Sequence, residues 1–343
     1  MRYPGPLKAG GTIGVPAPSF GCTIEPYKSQ FESAVRKLTT LGYNVLPGDN
    51  CFCDKGTGIS NTPEKCAEEL NRMYLSLETD VLISCGGGEL MCEIVPMLDL
   101  EAVGNAEPKW FMGYSDNTNF TFLSATMADT AAVYGPNFPS YGMEEYHESL
   151  NDALELLTGK RISVHGYTKW ERESLKSEDS PLAPWNVTED TEYVYYPKEL
   201  KGGVSFSGRL LGGCLDCLAN LAGTRFDKVR DFNRKYGDDG IIWFLESCDL
   251  NPMAVRRTLW SLKNSGWFDC AKAFLIGRPY VYDMDIMGVD RHSAAVSMLE
   301  EFHVPVIMDL DIGHLPPQMP IITGAFADVS ANGNDICIEY EFR

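Results

Sequence analysis

Short apolar runs alternate with amphipathic stretches through the first third of this sequence, and no other feature restricts the fold as much. Gly11 to Val15 is a strand-length apolar run ending in the loop Pro16-Ala17-Pro18-Ser19. Tyr27 to Leu41 then carries Phe31, Ala34, Val35, Leu38 and Leu41 at helical spacing, which makes one apolar helix face. Residues 43–46 supply the next strand, residues 63–77 a helix opened by Pro63 and acidic side chains, and Val81 to Ser84 a further strand. Strands separated by helices pair in parallel, because a crossover of helix length brings the next strand back alongside in the same direction. The expected class is α/β: an N-terminal, mostly parallel, doubly wound (flavodoxin-like) sheet domain, plus a smaller C-terminal α/β domain. Ligand sites in such sheets lie beyond the carboxyl ends of the strands.

One strand end stands out. In Lys109 to Leu123 the apolar run Trp110-Phe111-Met112 breaks at Gly113 into Tyr114-Ser115-Asp116-Asn117 and resumes with helix-compatible spacing. A serine on a strand-turn-helix junction projects its hydroxyl beyond the sheet, beside the amide groups that open the helix and can face an oxyanion. The pattern shares the first glycine and the serine of a G-x-S-x-G nucleophile elbow but not its last glycine; a capping serine on an ordinary turn is the competing reading. Val81 to Ser84 ends comparably, in Cys85-Gly86-Gly87-Gly88-Glu89, where backbone free of side chains can approach a substrate or simply turn tightly. No G-x-x-x-x-G-K-[ST] and no G-x-G-x-x-G is present, which argues against nucleotide hydrolysis and dinucleotide binding.

Composition narrows the partners. With 48 acidic against 29 basic residues the net charge is -19, which repels nucleic acid and anionic lipid, and no basic patch reverses it. No apolar core follows a basic start at the N-terminus and no run approaches about 20 apolar residues, so neither a signal peptide nor a membrane span is expected and the location is read as cytoplasmic. The eleven cysteines are then reduced thiols. The pairs Cys51/Cys53 and Cys214/Cys217 lack histidine partners at zinc-site spacing, and neither metal nor cofactor is expected.

The character changes at 168–203, a polar, acidic, proline-bearing segment read as a linker between domains 1–167 and 204–343. Trp185 within it either stacks on a substrate ring or packs at the domain interface. Downstream, Gly240 to Ser247 is a continuous apolar strand delivering Glu246 at its carboxyl end, where a carboxylate is either solvated or paired. Among the five histidines, His314 alone follows an apolar strand and a glycine, in Val306 to Leu315. Ser115, Glu246 and His314 thus occupy one kind of position, and their order suits nucleophile, orienting carboxylate and base.

These motifs carry a family resemblance. TIGVPAPS, the Gly-Gly loop, GYSD, GRLLGG, FLES, LIGRP and DIGHLPPQ…ITGA, spread over nearly the whole chain, resemble the LD-carboxypeptidase and microcin C immunity peptidase family of cytoplasmic serine peptidases. The resemblance implies a Ser-Glu-His triad of Ser115, Glu246 and His314, an oxyanion hole from the N–H groups of Gly87 and Asp116, and a homodimer. It implies a small peptide or peptidyl-nucleotide substrate. Immunity-type members hydrolyse peptidyl-aminoacyl nucleotides, stacking an aromatic from the loop that here holds Trp185; the alternative is release of terminal D-alanine from a murein tetrapeptide. The Gly-Gly loop departs from the family pattern by running into Gly88-Glu89, so Glu89 adds a negative charge at the expected substrate mouth.

Overall fold

The strand-helix alternation is realised in the first of two units into which the computed structural model, describing residues Met1–Arg343, divides. This unit comprises Met1–Arg161 and Glu173–Asn186; the second comprises Ile162–Arg172 and Val187–Arg343. Strands β1 (Thr12–Val15), β2 (Asn44–Pro47), β3 (Val81–Ile83), β4 (Trp110–Met112) and β5 (Ala132–Tyr134) alternate with helices α1 (Tyr27–Thr40), α2 (Pro63–Leu75), α3 (Leu100–Asn105) and α4 (Thr118–Thr126), and α5 (Glu148–Leu157) comes after β5. All the strand pairs are parallel and the order is 2-1-3-4-5, the flavodoxin-like doubly wound order. Helix starts obey local chemistry: Pro63 occupies the first turn of α2, where its missing N–H costs nothing, and the His147 ring accepts the Ser149 N–H to cap α5.

The second unit is built on an eight-stranded mixed sheet. The strands and helices of this unit are β6 (Ser163–His165), β7 (Lys169–Glu171), β8 (Val187–Asp190), β9 (Val194–Tyr196), β10 (Val204–Cys214), α6 (Leu215–Leu221), α7 (Val229–Tyr236), β11 (Ile241–Glu246), α8 (Pro252–Asn264), β12 (Ala271–Gly277), α9 (Arg291–Leu299), β13 (Val306–Leu310), β14 (Ile321–Thr323), β15 (Phe326–Asn332) and β16 (Asp335–Glu341), of which β7, β8 and β14 lie outside the eight-stranded sheet. The sheet order is β6-β16-β15-β10-β11-β12-β13-β9, with β10 to β13 parallel and the flanking pairs antiparallel. Its centre is the fully buried β11, around which Trp243, Trp267 and Phe268 pack. Within 168–203, β7 and β8 pair with each other, β9 edges the sheet against β13, and Glu173–Asn186 folds with the first unit.

The pairing of β12 with β13 is irregular, and the irregularity sits beside the functional residues. Leu275 is opposite Ile307, yet Gly277 is opposite Leu310, so β13 carries one extra residue. Asp309 absorbs it with a left-handed backbone, φ 63°. A bulge of this kind bends the strand and re-aims the residues beyond it, here the segment leading to His314.

Candidate active site

Ser115 lies just beyond β4, in a short turn of 3-10 helix that leads into α4. Its φ is 64°, a left-handed backbone that costs a residue with a Cβ roughly 1–2 kcal/mol. The surroundings hold it there. The Ser115 N–H donates to Tyr134 Oη at 3.2 Å and the Tyr114 N–H to Asn137 Oδ1 at 3.3 Å. Asn117 Nδ2 donates to the Gly86 carbonyl at 2.8 Å, tying the turn to the glycine loop after β3. The Asp116 carboxylate is buried and accepts from Ser19 Oγ at 2.5 Å, the Met91 N–H at 2.8 Å and Asn119 Nδ2 at 3.0 Å. Strain held in place by so many bonds is what a nucleophile elbow requires and a plain capping serine does not.

The glycine loop is shaped to approach this serine. A Cβ on Gly87 would lie 3.1 Å from both Ser115 Cβ and Oγ, and one on Gly88, whose φ is 155°, would lie 2.0 Å from Ser19 Oγ. Glu89, one residue on, is exposed.

In the second unit Glu246 closes β11 and is 1% exposed. A carboxylate so buried needs a partner, and His314 Nδ1 lies 2.8 Å from its Oε2. With Glu246 ionised, Nδ1 carries the proton and donates, which makes Nε2 the basic nitrogen; this tautomer is assigned from the hydrogen bond. The approach depends on Gly313, whose φ is 110° and where a Cβ would stand 2.5 Å from Glu246 Oε2. The Cys248 thiol also hydrogen-bonds His314; burial raises its pKa and that contact partly offsets the rise. Asp216, opening α6, accepts the N–H groups of Cys248 at 3.1 Å and Asp249 at 3.0 Å, fixing the loop after Glu246.

Two residues at these sites were not legible as functional. Cys248 comes two positions after Glu246 without any motif of its own, and Asp216 lies between two cysteines read as plain reduced thiols. All eleven cysteines are free thiols. Trp185 belongs to the part of 168–203 that folds with the first unit and is half-buried there, its ring 5.6 Å from the His147 ring at 47°. The Glu144 N–H donates to the Leu182 carbonyl at 2.8 Å, fastening the same loop to the segment that carries His147.

The first unit holds a strained serine with a glycine loop against it, and the second a buried glutamate-histidine pair at strand ends; these are the kinds of group that hydrolases of the serine peptidase class use. The chain belongs to the LD-carboxypeptidase family: the LD-carboxypeptidase N-terminal domain matches residues 13–135 and the C-terminal domain residues 207–329. Over 354 aligned positions it is 26% identical to the microcin C7 self-immunity protein MccF of Escherichia coli, covering 98% of this chain and 95% of that protein. Its fold matches the crystal structure of an MccF-like protein from Bacillus anthracis with a TM-score of 0.83 at 24% identity, covering 99% of this chain and 100% of the other. The microcin C7 self immunity protein in complex with aspartyl sulfamoyl adenosine gives a TM-score of 0.81 at 23% identity, with 98% of each chain covered. No helix is long and apolar enough to cross a membrane.

Proposed function

We propose that this chain is a cytoplasmic peptidase of the microcin C immunity type, hydrolysing peptidyl-aminoacyl nucleotides with a triad of Ser115, His314 and Glu246. Ser115 Oγ attacks the scissile carbonyl carbon while His314 Nε2 takes its proton, then returns that proton to the leaving nitrogen; water repeats the sequence on the acyl-enzyme. Glu246 holds the imidazole tautomer and stabilises the imidazolium. The N–H groups of Gly87 and Asp116 receive the oxyanion, with the Asp116 amide kept in place by the bonds to its carboxylate.

The observation that carries the chemistry is the left-handed Ser115 at the end of β4. Support for the substrate comes from Trp185: its loop is fastened to the first unit and its ring packs at a tilt against the His147 ring, which holds in place an aromatic suited to stacking on a base. The microcin C7 self immunity protein was solved with aspartyl sulfamoyl adenosine, an aminoacyl-nucleotide analogue. The second reading is release of D-alanine from a murein tetrapeptide, which the LD-carboxypeptidase domains matched over residues 13–135 and 207–329 favour.

The test is turnover of a peptidyl-aminoacyl adenylate and a murein tetrapeptide side by side, with Ser115→Ala as the blank. Loss of a triad nucleophile typically lowers kcat by about 10⁶. Retention of most activity by Ser115→Ala would remove it as the nucleophile. A parent enzyme that cleaves only the tetrapeptide would replace the first reading with the second.

A further inference from the structure

Beyond the Glu246–His314 pair, the second unit holds a buried cation that touches neither residue. Arg278 comes directly after Gly277 at the end of β12 and is 1% exposed. One guanidinium nitrogen, Nη1, donates to the Asp309 carbonyl at 2.7 Å; the other, Nη2, is paired with the Asp311 carboxylate. The guanidinium also lies 5.1 Å from the Trp170 ring centroid. Asp311 is itself fully buried, and its Oδ2 accepts from the Tyr167 N–H at 2.7 Å and Tyr193 Oη at 2.9 Å. The Asp311 carbonyl accepts the Met319 N–H at 2.7 Å, closing the turn that contains His314.

The two points gripped by Arg278 are the bulge residue and the residue three before His314. Asp309 is strained, and a strained non-glycine residue that the surroundings over-determine is a signature of a functional segment. Its carboxylate is held separately, by Arg291 Nε at 3.0 Å and His292 Nε2 at 2.6 Å. Burial alone would raise the Asp309 carboxyl; the bonds to His292 and Arg291 outweigh this and keep it below the usual carboxylate range. The path from Asp309 to His314 is thus fixed on both sides by charge-assisted bonds inside the core, where a lone packing role would be served as well by apolar residues. A Cβ on Gly277 would stand 2.0 Å from the Ile312 carbonyl oxygen, so this path runs in close contact with the end of β12.

We infer that Arg278 and Asp311 are positioning residues: by gripping the bulge and the turn after it, they set the distance between His314 Nδ1 and Glu246. A planar guanidinium reaches two acceptors at once, which a lysine ammonium at the end of a flexible stem does not reproduce. The inference rests on the proposed role of His314 as base.

The experiment uses the full chain with Arg278→Lys and Asp311→Asn, reading kcat, KM, the pH midpoint of kcat/KM and the downfield imidazole N–H signal of His314 by NMR. Misplacement of a catalytic group by about 1 Å costs on the order of 10² in rate, so kcat is expected to fall by about 10- to 100-fold with KM little changed. The pH midpoint should move down as the carboxylate draws away from the ring, and the N–H signal should broaden or shift. Folded variants that keep the parent midpoint and the parent imidazole signal overturn the inference, whatever their kcat. If either variant fails to fold, Tyr193→Phe decides by the same two readouts, since it deletes one hydrogen bond to Asp311 and nothing else. His314→Ala separates the two ideas: activity surviving there refutes the base assignment, while the NMR signal in Arg278→Lys still judges positioning.

Discussion

Gly313→Ala is the smallest change that reaches the glutamate-histidine pair without replacing either partner. The new methyl would stand 2.5 Å from Glu246 Oε2 and 2.9 Å from its Cβ and Cδ. Because Glu246 Cβ is fixed by the buried β11 backbone, the side chain cannot retreat as a whole. Restoring an ordinary contact of about 3.4 Å needs a shift of about 0.9 Å, which must come from the carboxylate or the His314 turn. A displacement of that size costs on the order of 10² in kcat, and complete separation of carboxylate from imidazole about 10⁴. The φ of 110° adds roughly 1–3 kcal/mol of backbone strain, seen as a lower melting temperature. The assay is steady-state hydrolysis by Gly313→Ala, Glu246→Gln and the double variant. If alanine acts through Glu246, the double variant should be no slower than the worse single one. A folded Gly313→Ala with kcat within about threefold of the parent, or fully additive losses in the double variant, would refute the reasoning.

The same geometry sets three further outcomes. Glu246→Gln should fold normally, because a glutamine oxygen can accept the same 2.8 Å bond, and should lose about 10⁴ in kcat; unchanged rates would exclude Glu246 from the triad. Activity should fall on acidification as His314 takes up a proton, and a profile flat across the range of about pH 5–8, where imidazoles change charge, would argue against an imidazole base. Trp185→Ala should weaken binding of a peptidyl-adenylate by about 1–3 kcal/mol while altering murein peptide hydrolysis much less; equal retention on both substrates would make Trp185 a packing residue.

Strands β1, β3 and β4 were legible because each is a short apolar run bounded by turn formers, and α1 and α2 because each carries an apolar face at helical spacing, whereas α4 is buried on nearly every side and shows no single apolar face. Local chemistry also marks the starts of α5 and α8, where the side chains of His147 and Asn251 accept the N–H groups of Ser149 and Ala254. Strand β10 was not read. Its Ser-Phe-Ser-Gly-Arg-Leu-Leu-Gly-Gly sequence mixes small, charged and apolar residues, and only pairing on both sides makes it an eleven-residue strand. Gly212 illustrates the difference: its φ is 155° and a Cβ would lie 1.7 Å from the Phe244 carbonyl, so a residue that looks like a turn former serves close strand packing. Segment 168–203 hid its strands because β8 (Val-Thr-Glu-Asp) and β9 (Val-Tyr-Tyr) are short and their partners lie more than a dozen positions away.

At the candidate site the residues proposed to react stand out in the sequence and the residues that hold them do not, and the reason is physical. Ser115, Glu246 and His314 each come after an apolar run, so local sequence marks the strand end and the chemistry marks the residue. Asp116, Asn117, Asp216, Arg278 and Asp311 act through bonds to backbone and side chains distant in sequence, which no local period encodes. Left-handed backbone at Ser115 and Asp309 is also invisible, since serine and aspartate give no sign of it. That strain is tolerated because each strained residue is joined to a strand buried along its whole length, β4 for Ser115 and β13 for Asp309. Fully burying one large apolar side chain contributes about 1.5–3 kcal/mol, as much as one strained residue costs. Loosening the core beneath β4 or β13 would therefore release the strain at these residues before it unfolded the unit, and catalysis should be lost earlier than secondary structure as either strand is weakened.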